Sequence, residues 1–345
     1  MKKKIKNKRI IFRADGNSNI GLGHLYRLLA LVEMYNEQYE CVFITRSDSE
    51  LSVFSKKYEL ILIPDNISVN DEPKWISNFF QLRNFLIILD GYHFNFNYRL
   101  NIKKAGFNLM FIDDYAEKMT ATDIIVNHSL SVTEDDFGLS NKTKFGLGTK
   151  YAILRPMFLK EAQKYKLAKP LKKVFICFGG ADFNNLTYRC LKAMIKIKRF
   201  NQIHVVIGSA YKQKEIFKLI DNNQDKTFLY QNLNEKQMVE IMNECNLAIL
   251  PTSTISYEAC AVKIIILGGY YIENQINIYN GLKKADLIYA AGDFNLMKEE
   301  DFMDKVNFIL EDSHENHQKK LDNQKLYFDG KQKERFLELT KEVLC

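Results

Sequence analysis

His24 is preceded by Gly21 and Gly23 and followed by Arg27, in a stretch at residues 12–27 that reads FRADGNSNIGLGHLYR. A short apolar strand runs through a polar, glycine-containing turn into a helix that opens near His24. Glycines there let the backbone approach a ligand, and the amides of the helix start carry a partial positive charge that favours a phosphate. A pyrophosphate suits such a turn. The order G-x-G-H-x-x-R is not the dinucleotide fingerprint, because Arg27 stands where a third small residue would let the helix pack closely, and this disfavours NAD and FAD. At the positive helix end His24 is placed to be a neutral imidazole acting as a general base. The same position equally suits a histidine that only caps the helix. Asp15 either orients a substrate hydroxyl or holds the turn through backbone amides, and its residue type favours the turn.

Four further groups follow apolar runs. Asp90, Gly91, Tyr92 and His93 come after one, and Asp113 and Asp114 after the next. Carboxylates at strand ends suit sugar hydroxyls, a metal or loop structure. Neighbours on an extended segment point to opposite sides, so Asp113 and Asp114 are not expected on one ion. Asn127 and His128 end another run and are candidates for the same site. Gly179, Gly180, Asp182 and Asn185 form a second glycine turn before a helix, which a plain Asp182 cap also explains. In PTSTISYE, residues 251–258, the hydroxyls of Thr252, Ser253, Thr254 and Ser256 surround a helix start suited to phosphate oxygens. Glu258 lies one turn on and suits ribose hydroxyls, with a simple helix cap as the rival. Glu273, Asn274 and Gln275 offer polar side chains suited to a sugar.

The elements that must hold these residues alternate. Short apolar runs at 10–14, 41–45, 60–63, 85–89, 108–112 and 124–127 are separated by helical or turn-rich segments, the pattern of a parallel sheet covered by helices. Between 151 and 173 the pattern loosens around Pro156 and Pro170, and strands resume near 174–178, 204–207, 228–230, 247–250 and 263–267. The expected organisation is a basic tail (1–9), a first Rossmann-like domain (10–155), a linker (156–172), a second Rossmann-like domain (173–297) and a helical extension (298–345). The fold class is α/β, with two such domains and a cleft between them. The extension is expected either to pack outside or to return to the first domain. In open parallel sheets ligands bind beyond the carboxyl ends of the strands, which is where the candidate residues fall.

Composition narrows the classes of function. At 345 residues, two cores are favoured over one. The net charge of +7 owes six positive charges to Lys2, Lys3, Lys4, Lys6, Lys8 and Arg9, and a frayed, solvated terminus explains these better than a nucleic-acid site. The six cysteines form no C-x-x-C pair and sit among apolar neighbours, as structural thiols of a cytoplasmic protein do. No apolar run is long enough to cross a bilayer and no signal-type segment follows the lysines. His314 and His317 have a metal-compatible spacing but lack a second ligand pair, and an exposed helix face is the reading favoured for them.

Taken together and in order, these stretches resemble one family, the UDP-2,4-diacetamido-2,4,6-trideoxy-β-L-altropyranose hydrolases of pseudaminic acid biosynthesis. The likeness rests on R-A-D-x-x-x-x-I-G-x-G-H-x-x-R (13–27), Asp90 and Tyr92, Asp113 and Asp114, and Tyr151, Ala152, Leu154 and Arg155. It continues through G-G-x-D-x-x-N (179–185), Ser253 with Glu258, and Asn274 with Gln275. Gly16 and Asn17 replace the small residue and serine usual in the first motif, and the chain beyond 293 runs past the family's usual end. The resemblance implies a GT-B-like fold and a metal-independent hydrolase that releases UDP, with His24 activating water. Its sugar and pyrophosphate are expected on Arg13, Asp15, Gly21, Gly23, Arg27, Asp90, Tyr92, Asp113, Asn127, Asn274 and Gln275. Its nucleotide is expected on Gly179, Gly180, Asp182, Phe228, Tyr230, Ser253, Thr254 and Glu258. No cofactor is implied. The expected partner is a UDP-sugar, without nucleic acid or membrane insertion, and self-association no stronger than a weak homo-oligomer. An inverting glycosyltransferase, with His24 deprotonating an acceptor hydroxyl, is the alternative.

Overall fold

The computed structural model describes residues 9–17, 20–55, 58–80, 85–118, 120–138 and 142–344. The basic tail, apart from Arg9, and Cys345 lie outside the described residues. The chain divides into two compact units, 1–156 with 331–345, and 157–330.

The first unit runs β1 (Arg9–Arg13), α1 (Gly23–Tyr35), β2 (Glu40–Arg46), β3 (Glu59–Ile63), α2 (Glu72–Phe79), β4 (Leu86–Asp90), α3 (Phe96–Lys104), β5 (Asn108–Ile112), β6 (Ile124–Asn127) and β7 (Lys144–Leu147). Its seven described strands are ordered β3-β2-β1-β4-β5-β6-β7, and every pairing is parallel. Strands covered on both faces need nearly continuous apolar runs rather than alternation, and β4, LIILD, is buried at every position. The order reverses between β1 and β4. That switch point opens a crevice at the carboxyl ends of the two strands, just where 14–24 and 90–93 begin.

The second unit runs α4 (Pro156–Gln163), β8 (Lys173–Ile176), α5 (Leu186–Lys196), β9 (Gln202–Ile207), α6 (Glu215–Asp221), β10 (Thr227–Gln231), α7 (Glu235–Glu244), β11 (Leu247–Pro251), α8 (Thr254–Val262), β12 (Ile265–Tyr270), α9 (Ile276–Lys284), β13 (Tyr289–Asp293), α10 (Glu299–Glu311) and α11 (His314–Tyr327). Its six described strands are ordered β10-β9-β8-β11-β12-β13, again all parallel, with the switch between β8 and β11. The first eight residues of the expected linker are helical, and the rest, 164–172, form no helix or strand. Those eight form α4, whose last carbonyls, those of Glu161 and Ala162, accept hydrogen bonds from the buried Lys263 Nζ at 2.7 and 2.9 Å.

The helical extension is divided between the two units. Phe302, Val306 and Ile309 of α10 and Leu321 of α11 enter the core of the second unit. The last helix, α12 (Gln332–Lys341), belongs to the first unit, where Tyr35 Oη of α1 donates to the Phe336 carbonyl at 2.9 Å. Of the two histidines expected on an exposed face, His314 is exposed, with Nε2 3.1 Å from the Ala168 carbonyl, whereas His317 is buried with Nε2 3.0 Å from the Ile309 carbonyl. Both ring nitrogens satisfy helix-end and loop carbonyls, a structural use that spacing alone does not reveal.

Candidate active site

The glycine turn delivers His24 into the first switch point. Gly21 has φ of +82°, a conformation glycine adopts without strain, and its amide donates to the Asn17 carbonyl at 2.9 Å. Gly16 is required for space instead, since a Cβ there would sit 2.6 Å from Leu25 Cγ. Leu22 caps α1 without a side-chain hydrogen bond, and the first turn carries no acidic residue. The helix start thus lacks a built-in anion.

Asp90, Arg27 and Tyr92 lie against His24, with Asp114 and His128 beyond Arg27. His24 Nδ1 lies 2.7 Å from Asp90 Oδ1 at the end of β4. A carboxylate on Nδ1 holds the proton there and leaves Nε2 as the lone-pair nitrogen. Arg27, one turn along α1, gives Nε and Nη2 to Asp90, both at 2.6 Å. It gives Nη1 and Nη2 to Asp114 at 2.7 and 3.0 Å, and Nη1 also faces His128 Nε2 at 3.4 Å. All five guanidinium hydrogens therefore have acceptors. Burial by itself would raise both carboxyls, but Arg27 outweighs it and holds Asp90 and Asp114 below the ordinary carboxylate range. Burial, with Arg27 adding to it, pushes the His128 imidazole down to about 4. Tyr92, half exposed, packs edge-on against His24 at 4.7 Å between centroids and donates Oη to Asp114 at 3.1 Å.

This arrangement changes several expected roles. Arg27 and Asp90, expected at the sugar and pyrophosphate, are bound to one another here, with Asp90 also on His24 and Arg27 also on Asp114. Arg13 is fully buried, bound to Asp15 at 2.5 and 2.8 Å and to Glu72 at 3.1 Å twice. Asp15 also accepts from Thr45 Oγ1 and the Arg46 amide. Both lie in the scaffold under the turn, and the backbone amide bound to Asp15 is that of Arg46 in β2 rather than one of the turn itself. Asp113 accepts the amides of Tyr115 and Glu117 at 2.8 and 3.0 Å and shapes its loop, while its neighbour Asp114 is the one that faces the site. Asn127 accepts the Ser129 amide at Oδ1, and its buried Nδ2 has no hydrogen-bond partner among the described residues.

The second switch point is built from different material. Gly179, Asp182 and Asn185 all have positive φ, and the Asp182 carboxylate caps α5 through the amides of Leu186 and Thr187 at 2.9 and 2.7 Å. Gly180 abuts Gly208 so closely that a Cβ on Gly208 would lie 2.5 Å from Gly180 Cα. At the end of β11, Ser253 caps α8 in extended conformation without a side-chain cap bond, Thr254 opens that helix, and Glu258 is buried one turn in. Gln275 turns inward, its Oε1 accepting the Tyr271 amide at 2.9 Å, so it shapes the loop that carries Asn274.

Phe228 and Tyr230 do not join Ser253. They lie on β10, at the edge of the sheet and three strands from β11. The register aligns Phe228 with His204, Phe175 and Ala248, well below the carboxyl end of β11. There both rings stack on His204, at 5.2 and 5.8 Å between centroids.

Sequence reasoning missed Glu72, Arg46, Gly208 and Tyr211. Glu72 opens α2 beside Pro73, which reads locally as an ordinary helix start, and only the fold brings it under Arg13. Tyr211 Oη binds Asn185 Oδ1 at 2.8 Å, and a Gly-Ser-Ala turn after β9 was the one local signal available.

Two all-parallel sheets, each with its polar residues gathered at a switch point, define an α/β protein of the GT-B type. Solved structures share that fold: Acinetobacter baumannii MurG aligns with a TM-score of 0.67 and 10% identity, covering 97% of this chain and 99% of its own. A putative UDP-N-acetylglucosamine 2-epimerase from Listeria monocytogenes aligns at 0.63 and 12%, covering 99% and 96%. No protein-family model matches the chain.

In sequence, the chain is homologous to the UDP-2,4-diacetamido-2,4,6-trideoxy-β-L-altropyranose hydrolase of Campylobacter jejuni, 26% identical over 283 residues, 80% of this chain and 96% of that one. It is also homologous to the spore coat polysaccharide biosynthesis protein SpsG of Bacillus subtilis, at 21% over 268 residues, covering 76% and 77%. An uncharacterized protein of Methanocaldococcus jannaschii is 29% identical over 312 residues, 86% of this chain; the match spans 62% of that relative's length.

Proposed function

We propose that the chain is a nucleotide-sugar-processing enzyme, and specifically a hydrolase that splits a UDP-linked 2,4-diacetamido-2,4,6-trideoxy sugar of the altropyranose type into UDP and free sugar. The observation that carries this reading is the His24–Asp90 pair, 2.7 Å apart at a strand end beside an uncapped helix start. Nε2 takes a proton from water as the oxygen attacks the anomeric carbon, the C1–O bond to the pyrophosphate breaks, and UDP leaves with the bonding pair. Asp90 stabilises the imidazolium that forms. Arg27, rather than a metal ion, stands between the two carboxylates. The turn at Gly21 to Gly23 approaches the pyrophosphate. Tyr92 and Asn127 contact the sugar, with the unmet Asn127 Nδ2 available to a carbonyl oxygen of an acetamido group. Gly179, Gly180, Ser253, Thr254 and Glu258 hold the nucleotide. The homology to the Campylobacter hydrolase supports the choice of substrate.

We place the reaction in the cytoplasm, on the strength of five buried free thiols. No helix among the described residues is long and apolar enough to cross a membrane.

The test is UDP release from the altropyranose nucleotide in the absence of any acceptor. His24→Ala is expected to bind UDP with unchanged affinity by calorimetry and to lose about 10²- to 10⁴-fold in kcat. Full activity in that variant would overturn the assignment of the base. Release that appears only when a sugar acceptor is added would identify a glycosyltransferase instead.

A further inference from the structure

Arg27 joins two carboxylates, yet only Asp90 touches His24. Asp114 lies on the far side of the guanidinium, at 2.7 and 3.0 Å, part-buried and held also by Tyr92 Oη at 3.1 Å. The groups facing His24 are Asp90 at the end of β4, Tyr92 in the loop after it, and Arg27 on its own helix. Beyond Arg27 stand Asp114 after β5 and His128 after β6. With both imidazoles neutral, two carboxylates and one guanidinium leave the cluster one negative charge in excess. That excess comes from Asp114: without this residue Arg27 and Asp90 would cancel.

We infer that Asp114 is a positioning residue that acts through Arg27, keeping the guanidinium from neutralising Asp90 and thereby maintaining the basicity of His24. The inference rests on the proposed role of His24. It gives the pair of adjacent carboxylates unequal tasks, Asp113 shaping the loop and Asp114 setting the charge behind the base. The geometry is a fork–fork pair on each of two edges of one guanidinium, Nε with Nη2 to Asp90 and Nη1 with Nη2 to Asp114, so a change at one jaw is transmitted through the shared Nη2 to the other. Since His128 is already neutral above about pH 4, its own titration does not mask the effect near neutrality.

The experiment compares wild type with Asp114→Asn and Asp114→Glu. In Asp114→Asn the acid limb of kcat/KM against pH is expected to move to lower pH by about one unit, with kcat falling roughly tenfold and KM changing by less than about twofold. The imidazole titration of His24, followed by NMR in the ligand-free protein, should move in the same direction. Asp114→Glu retains the charge and should keep the limb within about 0.3 unit of wild type. A fall in kcat with both limb and titration unmoved, or a rise in KM alone, would overturn the inference and make Asp114 a loop residue or a direct substrate ligand. If Asp114→Asn fails to fold, Asp114→Glu still decides: a one-unit movement with the charge retained contradicts the inference. His24→Ala separates this from the hydrolase reading, because full turnover in that variant rejects the base while the NMR titration of Asp114→Asn remains a valid test.

Discussion

The two switch points of this protein occupy the same place in two similar sheets and are built from opposite materials. In the first, the buried Arg27, Asp90, His24 and His128, with the part-buried Asp114, bring formal charge and titratable rings together. In the second, Gly179, Gly180, Ser253 and Thr254 offer backbone and hydroxyls, and the buried carboxylate Asp182 is occupied in capping a helix. A preorganised charged cluster suits proton movement, because its field is fixed before reaction. Backbone amides and hydroxyls suit holding a charged ligand without titrating. The comparison therefore predicts that damage to the first site shows in turnover, folding stability and pH dependence, and damage to the second in affinity.

The largest expected separation is His24→Ala, which costs turnover and spares UDP affinity; parallel loss of both would erase the distinction. Next is Arg27→Met, which leaves the buried Asp90 and the part-buried Asp114 without their shared counter-ion. Denaturant unfolding is expected to report a loss of about 3–5 kcal/mol, because stranding buried charges costs more than the intact pair contributes. A loss under 1 kcal/mol would mean that solvent reaches the cluster.

Acid stability tests the same cluster. His128 titrates near 6.5 when unfolded but is held down to about 4 in the fold, so below 6.5 the unfolded chain takes up a proton that the native state refuses. Its contribution is complete above pH 6.5 and is lost as the pH falls toward 4, on the order of 3 kcal/mol. Asp90, Asp114 and Asp15, all held below their ordinary values, lose theirs only below about pH 4, as the pH falls through their native values. His128→Asn should flatten the slope of stability between pH 6.5 and 4 and leave the steeper loss below it. An unchanged slope would place the titrating group elsewhere.

At the second site, Gly208→Ala should push the Gly180 backbone away and cost roughly 1–3 kcal/mol. UDP affinity should fall while the pH profile of turnover keeps its shape. The smallest effect is expected from Phe228→Ala, which thins the stack on His204: UDP affinity should stay within about twofold, since surface changes away from a site are usually within ±0.5 kcal/mol. A tenfold loss there would restore Phe228 to the nucleotide site and undo the separation argued from strand order.

The sequence by itself determined the alternation of strands and helices, the two sheets, and the placing of polar motifs after strands, because each follows from local periodicity and from what glycine and proline allow. It also determined that residues 13–27 form a turn into a helix with His24 at its start. It did not determine which charges meet. Arg13 and Arg27 share one motif and looked alike as phosphate ligands, yet the fold closes Arg13 with Glu72, 59 positions away, and Arg27 with Asp90 and Asp114, 63 and 87 away. The sequence pointed to Asp113 as the ligand, whereas Asp114, which differs only in the side of the chain it faces at the end of β5, is the one that the fold brings to Arg27. These partners come from separate strands whose order in the sheet is set by packing of the whole core. Only the tertiary structure decided that the glycine turn carries a histidine backed by a clamped pair of carboxylates.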